Sequence, residues 1–197
     1  MNVAAACQHI LNQLQAGLSP KLTYHCVAHT LDVVEQSERI ARAEGIDAPE
    51  TLALLQTAAY YHDAGFLQVY DDHEAVSCQI AQTTLPDFGY SPEQITDVCA
   101  LIMATKIPQT PLSKLGEIIC DADLDYLGRS DYKAVSETLL SEWLTYNRLP
   151  DPTRWFPIQV GFLGNHRYFT QTNQLLREPP KQQFVAAIQD QLALASQ

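Results

Sequence analysis

The sequence predicts an all-α protein folded as one helical bundle. No segment alternates apolar and polar residues with period two and β-branched enrichment, which is the pattern of a half-buried strand. Only eight glycines are present in the chain. Apolar residues instead recur at three- and four-residue steps between breaks marked by proline and glycine, as expected for amphipathic helices.

Residues 3–16 read as the first helix, with Val3, Ile10, Leu11 and Leu14 on one side, ended by Gly17 and the Ser19-Pro20 turn. The stretch Tyr24-His25-Cys26-Val27-Ala28-His29-Thr30 opens a second helix that runs to Gly45. That reading puts His25 and His29 on one face. His29 shares a stripe with Val33, Ser37 and Ile40 and points inward, whereas Asp32, Glu35, Arg39 and Arg42 are expected to face water. Asp47-Ala48-Pro49-Glu50 starts a third helix, with proline and an acid in its first turn. Its stripe Leu52, Leu55, Ala59, His62 carries the last histidine into the core, next to Asp63 and just before Gly65.

Asp71-Asp72 caps a fourth helix with His73 in its first turn, and Pro86 and Gly89 stop it. Ser91-Pro92-Glu93-Gln94 is a capping box for a fifth, through Ile95, Val98 and Ile102 to Thr105-Lys106. Ser113 starts a sixth helix, expected to run to Arg129. In its phase Asp123 lies with Ile119 and Tyr126 and faces inward, while Asp121 and Asp125 fall on a solvated side. Three further helices are expected: from Ser130-Asp131 to about Asn147, from Asp151-Pro152 through Ile158, Phe162, His166 and Phe169, and from Pro179-Pro180 through Phe184, Ile188 and Leu192. The aromatic stripe of this last third reads as packing.

Composition narrows the setting. At 197 residues, with 46% hydrophobic residues and no internal linker or repeat, residues 1–197 form a single domain in this reading. No apolar run approaches the roughly 18 residues of a membrane helix. The opening MNVAAACQHILNQL has no basic stretch before its apolar part, so no secretory signal is expected and the cytoplasm is the expected compartment. Five scattered cysteines suit free thiols rather than a disulfide framework. A net charge of -11 argues against a nucleic acid polymer as partner. Small ligands and self-association both stay open.

Four inward groups, His29, the His62-Asp63 pair and Asp123, thus come from three helices. Two imidazole nitrogens and two carboxylates make a mixed donor set suited to one divalent ion, with manganese, magnesium, nickel, iron and zinc all admissible.

In this order and at these separations, His29, His62-Asp63 and Ala122-Asp123 resemble the signature of the HD-domain metal-dependent phosphohydrolases, an all-helical superfamily. The likeness covers about residues 20–130, an HD core that leaves residues 131–197 as a C-terminal helical scaffold. The run Tyr24 to Val33 is similar to the opening motif of cyclic-nucleotide phosphodiesterases, with Cys26 where asparagine is usual. The resemblance implies that His25 protonates the leaving oxygen and that His29, His62, Asp63 and Asp123 hold the metal; beyond it, Asp63 is expected also to orient the attacking water. Lys106 and Arg129 are the candidates for binding phosphate oxygens. Dinuclear members carry further histidines after the dyad and before the last aspartate. Here His73 occupies the first place and Thr105-Lys106 the second, which leaves a second metal without a full shell. The His-Pro-Gly continuation of the phosphodiesterases is absent, and the sequence does not identify their aromatic purine clamp.

The expected activity is hydrolysis of a small phosphoester, most simply a nucleotide, by a phosphomonoesterase or phosphodiesterase. Two rival readings are a nucleotide or metal sensor without turnover and a di-iron oxygenase of the same fold.

Overall fold

A computed structural model describes residues 1–195, which form ten α-helices and, among the described residues, no strand. In chain order these are α1 (Val3–Gly17), α2 (Val27–Ala43), α3 (Pro49–Tyr61), α4 (His73–Thr84), α5 (Pro92–Ala104), α6 (Lys114–Asp123), α7 (Tyr132–Thr145), α8 (Trp155–Asn165), α9 (Gln171–Leu176) and α10 (Glu178–Ala195). Short 3-10 turns follow α3, α4 and α6 and precede α8. No described helix is long and apolar enough to cross a membrane.

Local chemistry accounts for the helix starts. Asn2 accepts from the Ala5 amide at the head of α1, and Ser113 accepts from the Gly116 amide at the head of α6. Ser91 and Gln94 form both halves of the expected capping box. The helices pack in two groups. In the first, α2 lies against α3 and α6, and α5 lies against α3, α4 and α6. Their shared interior is aliphatic, built on Ile10, Val33, Ile40, Leu55, Ile102 and Ile119. In the second, α8 and α10 pack together over the turn after α6, around Tyr126, Leu127, Tyr132, Leu163, Tyr168 and Ile188.

Several sequence expectations are corrected. The second helix begins at Val27 with Cys26 as its N-cap, so His25 lies in the preceding loop and does not share a helical face with His29. The sixth helix stops at Asp123 and gives way to the 3-10 turn Asp125–Gly128, which changes the phase beyond Asp123. Asp121 and Asp125 are fully buried rather than solvated. Asp121 accepts from the Phe169 and Thr170 amides and from the Thr170 hydroxyl. Asp125 accepts from Arg39, Arg177 and Asn173. Arg39, expected in water, turns inward to meet it. The eighth helix ends at Asn165, where His166 becomes extended, so Phe169 lies beyond it and the short α9 follows.

Candidate metal centre

The apolar stripe of α3 buries the helix end and carries His62 with it, the helix closing at Tyr61 with His62 as C-cap. His62 Nδ1 lies 2.8 Å from the Ala59 carbonyl oxygen. A carbonyl can only accept, so Nδ1 carries the proton and Nε2 keeps its lone pair. That nitrogen stands 3.4 Å from His29 Nε2, 3.3 Å from Asp63 Oδ2 and 3.8 Å from Asp123 Oδ1. His29 Nε2 is in turn 3.2 Å from Asp123 Oδ1 and 3.5 Å from Asp63 Oδ2. One donor atom from each of His29, His62 and Asp123 falls within 4.8 Å of the others. Asp63 Oδ2 is buried, close to both imidazoles, and takes no hydrogen bond.

Two imidazole nitrogens and two carboxylate oxygens this close together suit a cation between them. The orphaned Asp63 oxygen and the fixed His62 tautomer fit a divalent ion held by His29, His62, Asp63 and Asp123. Without one, a proton fills part of the demand: burial opposes charge on His62, but Asp63 and Asp123 outweigh it and raise the imidazole to about 9. The same pairing, against burial, holds the Asp63 carboxyl well below the usual carboxylate range.

The chain after the dyad is pressed hard against α4. A Cβ on Gly65 would stand 2.0 Å from the His73 carbonyl oxygen, so only glycine fits. Ser77 staples the contact, its hydroxyl accepting from the Gly65 amide at 2.8 Å and donating to the His62 carbonyl at 2.7 Å. This sets His73 Nε2 at 3.2 Å from Asp63 Oδ1. Phe66 then lies 4.1 Å, centroid to centroid, from both the His25 and the His73 rings.

His25 is held from the other helical group. Glu142 of α7, fully buried, accepts from the Tyr24 and His25 amides at 2.9 and 3.0 Å, and its other oxygen is 2.5 Å from His25 Nδ1 and 2.9 Å from the Tyr70 hydroxyl. Burial raises the Glu142 carboxyl, but His25 and the two amides outweigh it, and the group stays below the usual range. The sequence reading missed Glu142, although an acid at 142 in the apolar stripe of Leu139, Trp143 and Tyr146 was the available signal.

A cavity of about 270 Å³ opens beside the cluster, lined by His25, Asp63, His73 and Asp123 and walled by Leu139, Trp143, Ile158 and Phe162 of α7 and α8. No lysine or arginine is among its lining residues. The structure therefore brings together His25, His29, His62, Asp63 and Asp123, but not Lys106 or Arg129. Lys106 Nζ is exposed and lies 2.6 Å from Asp72. Arg129 is taken by Asp32 at 2.7 Å and Asp131 at 3.0 Å. Both cations have carboxylate partners, Lys106 at the surface and Arg129 partly buried.

The family model described as HD domain matches residues 27–125. The fold is also similar to the crystal structure of a predicted HD superfamily hydrolase from an uncultured Thermotogales bacterium. That protein is 24% identical, and the match covers 94% of this chain and 91% of that one with a TM-score of 0.61. No curated protein matches the sequence.

Proposed function

The chain belongs to the HD-domain family, and from that premise we propose that it is a metal-dependent phosphohydrolase acting on a small phosphoester, most simply a nucleotide with a single phosphoryl group. The convergence of His29, His62, Asp63 and Asp123 beside His25, held by the buried Glu142, carries the reading. One divalent ion held there would lower the pKa of a bound water toward neutrality and offset charge on the phosphoryl oxygens.

The remaining chemistry belongs to the protein. Hydrolysis forms a bond from a water oxygen to phosphorus and breaks the ester P–O bond. Asp63, kept ionised, accepts a hydrogen bond from the attacking water and orients it. His25 gives the proton that the departing alkoxide needs, and Glu142, bonded to its Nδ1, fixes the orientation of the ring. His73, bonded to the second oxygen of Asp63, holds that carboxylate in place and makes a single ion the simpler reading. Each further phosphoryl group would bring negative charge against Asp63, Glu74 and Asp123 with no cation in the cavity to meet it.

The test is release of phosphate or alcohol from a panel of nucleotides and generic phosphoesters with manganese, magnesium, nickel, zinc or iron. Turnover by the wild type, lost at least 10³-fold in Asp63→Ala, is the expected result. Stoichiometric binding of one ion with no turnover on the panel overturns the proposal and favours a sensor. Two irons per chain with a visible absorption band would favour an oxygenase instead.

A further inference from the structure

A second cavity of about 350 Å³ adjoins the first and shares Ile107, Leu124 and Phe162 with it. Its volume falls in the range of small-molecule sites, roughly 300–1,000 Å³. Two of its lining residues, Gln109 and His166, each carry a buried side-chain atom without any hydrogen-bond partner, Oε1 and Nε2 respectively. Orphaned buried polar atoms are uncommon, and each calls for a reason. Here the two have opposite polarity.

The Gln109 amide nitrogen lies 3.0 Å from the Cys120 carbonyl and 3.5 Å from Asp123 Oδ2. Both of those atoms only accept, so the amide orientation is fixed and Oε1 is a vacant acceptor. The Lys181 ammonium, fully buried, lies 3.2 Å from His166 Nδ1 and 2.5 Å from the His166 carbonyl. An ammonium only donates, so Nδ1 accepts and Nε2 carries the proton. Burial and the neighbouring Lys181 push the imidazole down to about 4, keeping it neutral at pH 7. The cavity thus offers one unpartnered neutral donor and one unpartnered acceptor between the apolar faces of Ile107, Pro108, Phe162 and Phe169, with Asn165 and Arg167 also on its lining and the Arg167 guanidinium donating to the Gly164 and His166 carbonyls. Flat apolar walls with a donor and an acceptor match the chemistry of a planar heterocycle with a polar edge.

We propose that this cavity holds the nucleobase of the substrate, whose edge accepts from His166 Nε2–H and donates to Gln109 Oε1 while the phosphoryl group lies at the His29-His62-Asp63-Asp123 cluster. The proposal rests on the hydrolase reading above and adds where the far end of the substrate binds. Gln109 links the two ends, because the amide that meets the base also donates to the carboxylate of Asp123. Base recognition thereby helps to orient a metal ligand.

Binding of neutral nucleosides tests this apart from turnover. Inosine, uridine and adenosine, with ribitol as the polyol control, are titrated by calorimetry and saturation-transfer NMR against wild type, His166→Phe, Gln109→Leu and the control His9→Phe on α1, outside both cavities. The expected result is nucleoside binding without ribitol binding, weakened at least tenfold in both cavity variants and kept in the control. The two cavity variants disturb different neighbours, Lys181 and Asp123, so a loss common to both reads the cavity itself. Absence of nucleoside binding, equal binding of ribitol, or binding indifferent to both substitutions overturns the proposal. Turnover on the phosphoester panel without nucleoside binding refutes this inference alone, whereas nucleoside binding without turnover refutes the hydrolase reading alone.

Discussion

The two helical groups treat polar residues in opposite ways. In the first, α1 to α6, the interior is aliphatic, and His62 and Asp63 sit buried at its edge, where they could hold a cation. In the second, and along its seam with α2 and α6, buried charges are matched inside the protein: Asp121 by Phe169 and Thr170, Asp125 by Arg39 and Arg177, Lys181 by Glu178 and His166, Glu142 by the Tyr24-His25 turn. The first group leaves valences open at the His62-Asp63 cluster, and the second closes its charged groups while leaving His166 Nε2 open toward its own cavity. Division of labour follows, with the first presenting the donor atoms and the second fixing the acid and walling the cavity.

Substitutions can break that comparison. The largest effects are expected where each group presses backbone on backbone. Gly65→Ala drives a Cβ onto the His73 carbonyl, and Gly128→Ala drives one to 2.2 Å from the Arg177 carbonyl. Each should cost about 3 kcal/mol or more in thermal or denaturant unfolding. A mild Gly128→Ala would mean that the second group merely rests on the first. Glu142→Gln sharpens the assignment of roles. With ion stoichiometry kept, kcat/KM on an ester with a poor leaving group should fall about 10²-fold. A p-nitrophenyl ester, whose leaving group needs no proton, should lose far less, and an equal loss on both would demote Glu142 to a packing residue.

A smaller effect tests the closed charges of the second group. His166 has a folded value of about 4, below its unfolded value near 6.5, so its contribution is present above that pH and lost as pH falls toward 4. Asp121 has the opposite sign. Burial and the nearby Asp125 outweigh its hydrogen bonds and raise it to about 6, above the unfolded value near 3.9. The native state therefore takes up that proton first and gains stability as pH falls through the same interval. Asp121→Asn removes the gain, so its unfolding free energy should drop more steeply than wild type between about pH 6.5 and 4. Parallel profiles would show that Asp121 titrates alike folded and unfolded.

The same contrast explains what the sequence made legible. All four candidate ligands could be read because three are fixed by helical phase within one element and the fourth, Asp63, adjoins His62. The all-α class and the capping box at Ser91 were equally local matters. Asp121, Asp125 and Arg39 were misplaced because their partners lie 48, 52 and 86 residues away, and no periodicity reports a partner at that distance. Glu142 was missed for the same reason, being 117 residues from the histidine that it holds. The carboxylates that Lys106 and Arg129 meet, Asp72 at the head of α4 and Asp32 on α2, were likewise out of reach of local pattern.

Phe66 has a consequence for motion. Its ring rests against the imidazoles of both His25 and His73, so it cannot turn about its Cβ–Cγ axis without pushing one of them aside. Ring rotation is thereby tied to the loosening of two histidines at once. Separate NMR signals for the two edges of that phenyl would report a rigid centre, and their coalescence on warming would time the opening of the site from within.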